Sequence, residues 1–150
     1  MPHHVSVRHN FETAHRLPHL PGKCTNLHGH SWWAEITITD PELPPDGLIV
    51  EFGSLKKEVR RWIDQHLDHG AMLGTQDPLL SVLRSHGSKV YEVTGWPTVE
   101  ATAELLAHVA QDVLQNLERS QHAHVSRVHV TETHVNGATW TAPDPAGAVE

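Results

Sequence analysis

Cysteine is almost missing from this chain: Cys24 is the only one in 150 residues, so no internal disulfide can form and a reducing cytoplasm is the expected home. Long hydrophobic runs are missing as well. None approaches the roughly 18–20 residues that cross a bilayer, and Met1–Val5 lacks the basic-then-apolar build of a signal peptide. Basic clusters are also lacking. The 11 Lys and Arg residues are scattered against 18 Asp and Glu, a formal net charge of −7 that argues against binding nucleic acid by phosphate neutralisation. An anionic small substrate stays open, because a metal and a few local cations can dominate a pocket. What remains is ordinary for a globular protein, with 38% hydrophobic and 19% charged residues. The length fits one domain over 1–150 with a moderate core.

Histidine is present in excess, at 15 of 150 residues. It is the commonest metal ligand and titrates near neutral pH. Most of these residues need have no such role, and His9, His19, His86, His108 and His122 read as surface or half-buried positions.

Periodicity organises the chain into β-β-α-α-β-β. Residues 5–14 alternate loosely as a strand, and 16–27, with Pro18, Pro21 and Gly22, form a loop. Residues 30–39 are β-branched and aromatic with period two, a second strand. Residues 40–47 are turn-rich, and Leu48-Ile49-Val50 adds a short apolar segment. Ser54 is placed to cap a helix to about Leu67, and Thr98 a second helix to about Leu117. Between them, 70–96 is poorly patterned, with a short helical turn over 79–83. Residues 124–134 read as a strand, and Asn136-Gly137 predicts a type I′ hairpin into 138–141. Residues 142–150 read as a frayed tail. The expectation is an α+β fold, a four-stranded antiparallel sheet with two helices on one face and two open edges that favour oligomerisation.

The chemistry centres on Cys24-Thr25-Asn26-Leu27-His28-Gly29-His30. His28 and His30, two apart at the start of a strand, project from one face. His15 lies beside that face if the first two strands pair. Three neutral imidazoles without an obvious fourth ligand match an open, catalytic zinc site; a chance His-x-His in a histidine-rich chain is the bland alternative. Cys24 is either a fourth, closing ligand or a reactive thiol near the metal. Asp68-His69 is either a proton-relay pair or a helix-end cap. Glu132, read as mid-strand, either accepts hydrogen bonds from a guanidine-like ring edge or faces solvent. Pro97-Thr98-Val99-Glu100 reads first as a helix cap.

Taken in order, Phe11-Glu12-Thr13-Ala14-His15, the Cys24–His30 segment, Leu48-Ile49-Val50-Glu51-Phe52, Leu67-Asp68-His69, Pro97-Thr98-Val99-Glu100 and Thr131-Glu132-Thr133 resemble the 6-pyruvoyl-tetrahydropterin synthase/6-carboxytetrahydropterin synthase family. The gap between Cys24 and His28 is similar to that of the bacterial carboxy-forming branch. The resemblance implies a T-fold, whose sheets join into a barrel, and a homo-oligomer (a hexamer as a dimer of trimers) with sites between subunits. It implies Zn2+ on His15, His28 and His30, Cys24 as general base, and Asp68 and His69 as proton relay. Glu132 and Thr98 would contact the pterin. The implied reaction is a carbon–carbon lyase step converting 7,8-dihydroneopterin triphosphate to 6-carboxy-5,6,7,8-tetrahydropterin, with loss of acetaldehyde and triphosphate, on a route to 7-deazapurines such as queuosine. The pyruvoyl-forming reaction and a non-enzymatic zinc or pterin-binding module are the alternatives. Arg16 and Lys23 are candidate cations for the triphosphate. Glu51 departs from the Asp common before Phe in bacterial members, and 70–96 is longer than in compact members.

Overall fold

The structure, a computed structural model, describes residues 1–144. Its backbone is a long hairpin of β1 (His3–His15) and β2 (His28–Asp40), paired from His3↔Asp40 to His15↔His28. Alternation then separates two faces. On β1 the odd positions Val7, His9, Phe11, Thr13 and His15 are buried, and on β2 the even positions Trp32, Ala34, Ile36 and Ile38. Helices α1 (Phe52–His66) and α3 (Val99–Gln115) pack on this face. Leu55, Val59 and Ile63 of α1 and Leu106, Ala110 and Leu114 of α3 join Phe11, Trp32 and Ile36 in one core. Strands β5 (His124–Thr131) and β6 (Gly137–Thr141) extend the sheet beyond β2.

The four-stranded antiparallel sheet is corrected to a mixed sheet of six strands, ordered β4-β3-β1-β2-β5-β6. Residues 70–96 supply a βαβ unit: β3 (Gly70–Gly74), α2 (Leu79–Ser85) and β4 (Val90–Val93), with β3 parallel to β1 and β4 parallel to β3. Met72 of β3 enters the main core, whereas Ala71 and Leu73 belong to a smaller cluster with Leu80 of α2. Two expected helices therefore share one face, and the third, α2, covers the other. A strand apolar on both faces carries no period-two signal, which is why Gly-Ala-Met-Leu-Gly is unreadable as one.

Local corrections follow the same logic. Helix α1 starts at Phe52 rather than after Ser54, because the Glu51 carboxylate accepts from the amides of Gly53 (2.6 Å) and Ser54 (2.7 Å). Strand β5 ends at Thr131, so Glu132 lies in the connection to β6 rather than mid-strand. Asn136-Gly137 is not a type I′ turn: the connection runs over 132–136, and Gly137 pairs with Thr131 inside β6. His9 is not at the surface but 6% exposed in the core face of β1. The expected frayed tail lies, over 145–150, outside the described residues. No helix among the described residues is long and apolar enough to cross a membrane.

Candidate metal centre and its surroundings

The core face of the β1–β2 hairpin ends in polar residues. Beyond Trp32, the next core-facing positions are His30 and His28 on β2, opposite Thr13 and His15 on β1. Trp32 is fully buried, stacks on Phe11 (5.9 Å between centroids), and donates its indole N–H to the Thr13 carbonyl at 3.0 Å. Its edge contacts with His15 (5.0 Å) and His30 (5.6 Å) make it the floor of a histidine cluster. The three imidazoles lie 4.7–5.1 Å apart by centroid, and one ring nitrogen from each falls within 4.8 Å of the others.

Protonation decides whether this cluster suits a cation. His15 Nδ1 lies 2.7 Å from the Pro97 carbonyl and His28 Nδ1 2.7 Å from the Asn26 carbonyl. A carbonyl can only accept, so Nδ1 carries the proton in both rings and, in the neutral ring, the Nε2 lone pair is left for a ligand. Burial lowers the His15 pKa to about 4 against the opposing Pro97 hydrogen bond, with the other two imidazoles adding to the lowering. Burial also lowers that of His30, outweighing the pull of Glu132. Burial thus favours the neutral form of His15 and His30, and backbone carbonyls orient His15 and His28, an arrangement that fits a metal keeping an open position.

The cavity over these rings is also lined by Cys24, Lys23 and Glu132. Cys24 sits exposed in a single 3-10 turn (Lys23–Thr25), whose position is set by the Leu17 amide donating to the Cys24 carbonyl at 2.8 Å. Glu132 Oε2 lies 3.7 Å from His15 Nε2 and 4.0 Å from His30 Nε2, so the residue that follows the end of β5 at Thr131 places its carboxylate beside the cluster. Arg16, a candidate cation, is used elsewhere: its guanidinium pairs through both Nε and Nη2 with Asp77, whose side chain is fully buried. Lys23 is the remaining basic residue among those lining the cavity.

The family profile described as 6-pyruvoyl tetrahydropterin synthase matches residues 4–143. The chain belongs to this family. Among similar proteins, a 6-carboxy-5,6,7,8-tetrahydropterin synthase of Rickettsia bellii is 33% identical over 128 residues, covering 84% of this chain and 91% of that protein. The protein of that name from Synechocystis is 30% identical, over 64% of this chain and 80% of its own length. Among solved structures, an uncharacterized protein of Wolinella succinogenes superposes with a TM-score of 0.80 at 20% identity, covering 95% and 99% of the two chains. The Caenorhabditis elegans 6-pyruvoyl tetrahydropterin synthase gives 0.68 at 22% identity, over 95% and 97%. At such identities the structural likeness concerns the fold, the T-fold of pterin synthases.

Within this pterin-synthase fold, two expected site elements stand apart from the cavity. Asp68 and His69 do contact each other, with His69 Nδ1 2.7 Å from Asp68 Oδ2, and His69 adopts a left-handed φ of 59°. Burial raises the Asp68 pKa, but the Glu12 amide (2.8 Å) and the His69 ring outweigh it and hold the carboxyl below its ordinary range. His69 is 78% exposed, and neither residue lines the Cys24 cavity. Thr98 likewise does not line it; its hydroxyl caps α3 by accepting from the Ala101 amide at 3.1 Å. Sequence reasoning missed Trp32 as the floor and the carbonyls of Pro97 and Asn26 as orienting groups. Trp32 continues the alternation of His28 and His30, a usable signal; backbone carbonyls leave no mark in the sequence.

Proposed function

We propose that the protein is a zinc-dependent 6-carboxy-5,6,7,8-tetrahydropterin synthase acting on 7,8-dihydroneopterin triphosphate, with release of acetaldehyde and triphosphate. The observation that carries this reading is one cavity holding three convergent imidazoles and the chain's only thiol. Relatives bearing that name, 30–33% identical over 84% of the chain, favour the carboxy-forming reaction over the pyruvoyl-forming one. The route served is 7-deazapurine synthesis of the queuosine type.

His15, His28 and His30 hold the zinc, which when bound supplies Lewis-acid polarisation of the substrate's side-chain hydroxyls and so acidifies the adjoining C–H bonds. Cys24 removes a proton from that side chain as general base. Glu132 accepts hydrogen bonds from the aminopyrimidine edge of the pterin, orienting it over the imidazoles. Thr98, which caps α3 and does not line this cavity, is assigned no pterin contact within its own chain. Lys23 faces the triphosphate; with Arg16 committed to Asp77, it is the cation available at the cavity. Asp68 and His69, absent from the lining of their own chain's cavity, serve as proton relay to Cys24 of a neighbouring copy in a barrel-forming homo-oligomer, a hexamer built as a dimer of trimers.

The test is incubation of zinc-loaded protein with 7,8-dihydroneopterin triphosphate and mass analysis of the product. Recovery of the carboxy product with acetaldehyde supports the proposal, a pyruvoyl product moves the protein to the sister reaction, and no turnover leaves a binding module. Cys24→Ala is expected to retain zinc while losing at least about 100-fold in turnover, the usual scale for a lost general base. Full activity in that variant would remove Cys24 from the mechanism.

A further inference from the structure

We infer that Trp96, which does not line the cavity, is a positioning residue for the metal centre: it seats the Pro97 carbonyl against His15 and pins the loop that carries Cys24. The inference rests on reading His15, His28 and His30 as metal ligands. It adds to that reading a residue whose role is indirect, exerted through the backbone of its neighbour.

Four observations converge on this residue. First, the Thr98 amide donates to the Trp96 carbonyl at 2.9 Å, closing a three-residue turn about Pro97 and leaving the Pro97 carbonyl to accept from His15 Nδ1 at 2.7 Å. Second, the Trp96 ring is wedged against β3. A Cβ at Gly74 would lie 2.7 Å from Trp96 Cε3 and 2.3 Å from the Gly95 carbonyl, so only glycine lets the segment approach so closely. Third, Gly95 has a φ of +82°, the left-handed turn that brings the chain out of β4 and lays Trp96 onto Gly74. Fourth, the indole stacks on His19, with centroids 4.3 Å apart and planes 12° from parallel. His19 belongs to the loop between β1 and β2 that holds Cys24.

The same corner of β3 also holds the residue that follows His15. Asp77, whose amide donates to the Gly74 carbonyl at 3.0 Å, forms the buried ion pair with Arg16, the residue after His15. Ligand and loop are thus both referenced to the turn after β3, part of the segment that was unreadable in the sequence. An imidazole whose Nδ1–H is held by a fixed carbonyl has one tautomer and one ring orientation, and loss of such a partner typically weakens metal binding by about 10–100-fold.

The experiment is zinc affinity by chelator competition on the full chain, together with the visible spectrum of the Co2+-substituted protein. Trp96→Ala is expected to lose about 10–100-fold in zinc affinity and to shift the cobalt bands. Trp96→Phe, which keeps a ring to stack on His19 and pack on Gly74, should restore affinity to within about threefold of the original, well short of the about 10–100-fold loss. Trp96→Leu keeps apolar bulk without a stacking face and replaces Trp96→Ala should the latter fail to fold; it too should bind zinc more weakly. Wild-type affinity and an unchanged cobalt spectrum in a folded Trp96→Ala or Trp96→Leu protein would overturn the inference. If the unaltered protein bound no zinc, the metal reading itself would fall, and this assignment with it.

Discussion

His9 shows what a buried imbalance costs a single residue. Its side chain is in the core face of β1, its Nε2 has no hydrogen-bond partner among the described residues, and its pKa is lowered to about 4, first by burial and then by the charges of Arg60 and Lys56. The unfolded chain would protonate this ring near 6.5, before the folded one does. Stability is therefore fully present above about pH 6.5 and drains away as pH falls toward about 4. His15 is lowered in the same direction and contributes to the same loss. His9→Phe should flatten the fall in urea midpoint between pH 7 and pH 4.5 without abolishing it; an unchanged slope would mean that His9 is not the titrating group. Position 9 is a core site occupied by a polar residue, so histidine excess and simple alternation gave opposite expectations there, and alternation prevailed.

At the scale of elements, α3 has the most exacting start, because Pro97 on its approach holds His15 while Thr98 caps its first turn. Thr98→Ala should cost about 1 kcal/mol of stability, the usual value of a lost cap, with Thr98→Asn recovering most of it in denaturant unfolding. A Thr98→Ala protein as stable as the original would show that the hydroxyl is not needed for the cap. The Thr98 cap was legible in sequence, as were both strands of the long hairpin and α1, because each has a sustained period that one buried face imposes. Strands β3 and β4 were not, being short and, in β3, apolar on both sides. Asn136-Gly137 misled for the opposite reason. A strong local turn preference lost to the register of a sheet in which Thr131 already pairs with Gly137. The ligands and Cys24 were readable because they form a local motif. The way the pieces meet was not, since it depends on the βαβ unit that periodicity could not see.

At the scale of the whole molecule, Asp68 and His69 are absent from the residues that line the cavity. The sheet ends in two short edge strands, β4 and β6, where further copies can add. The proposed assembly, which would supply Asp68 and His69 to a neighbour's Cys24, makes a concrete expectation about mixtures. Cys24→Ala and His69→Ala proteins, each inactive alone, should regain part of the wild-type turnover when unfolded together and co-refolded. Recovery no greater than the sum of the two would place the whole relay within one chain. The direct pairing of His15 with His28 has a separate consequence. An ion held by both closes the 16–27 loop with a cross-link, which is the one kind of covalent-like tie open to a chain that has a single cysteine. Such a tie reduces the freedom of the unfolded chain, as a disulfide across a loop of similar length would, by an amount on the order of 3 kcal/mol if the ion stays bound on unfolding. The proposed metal centre would then also be the clasp that keeps its own hairpin shut.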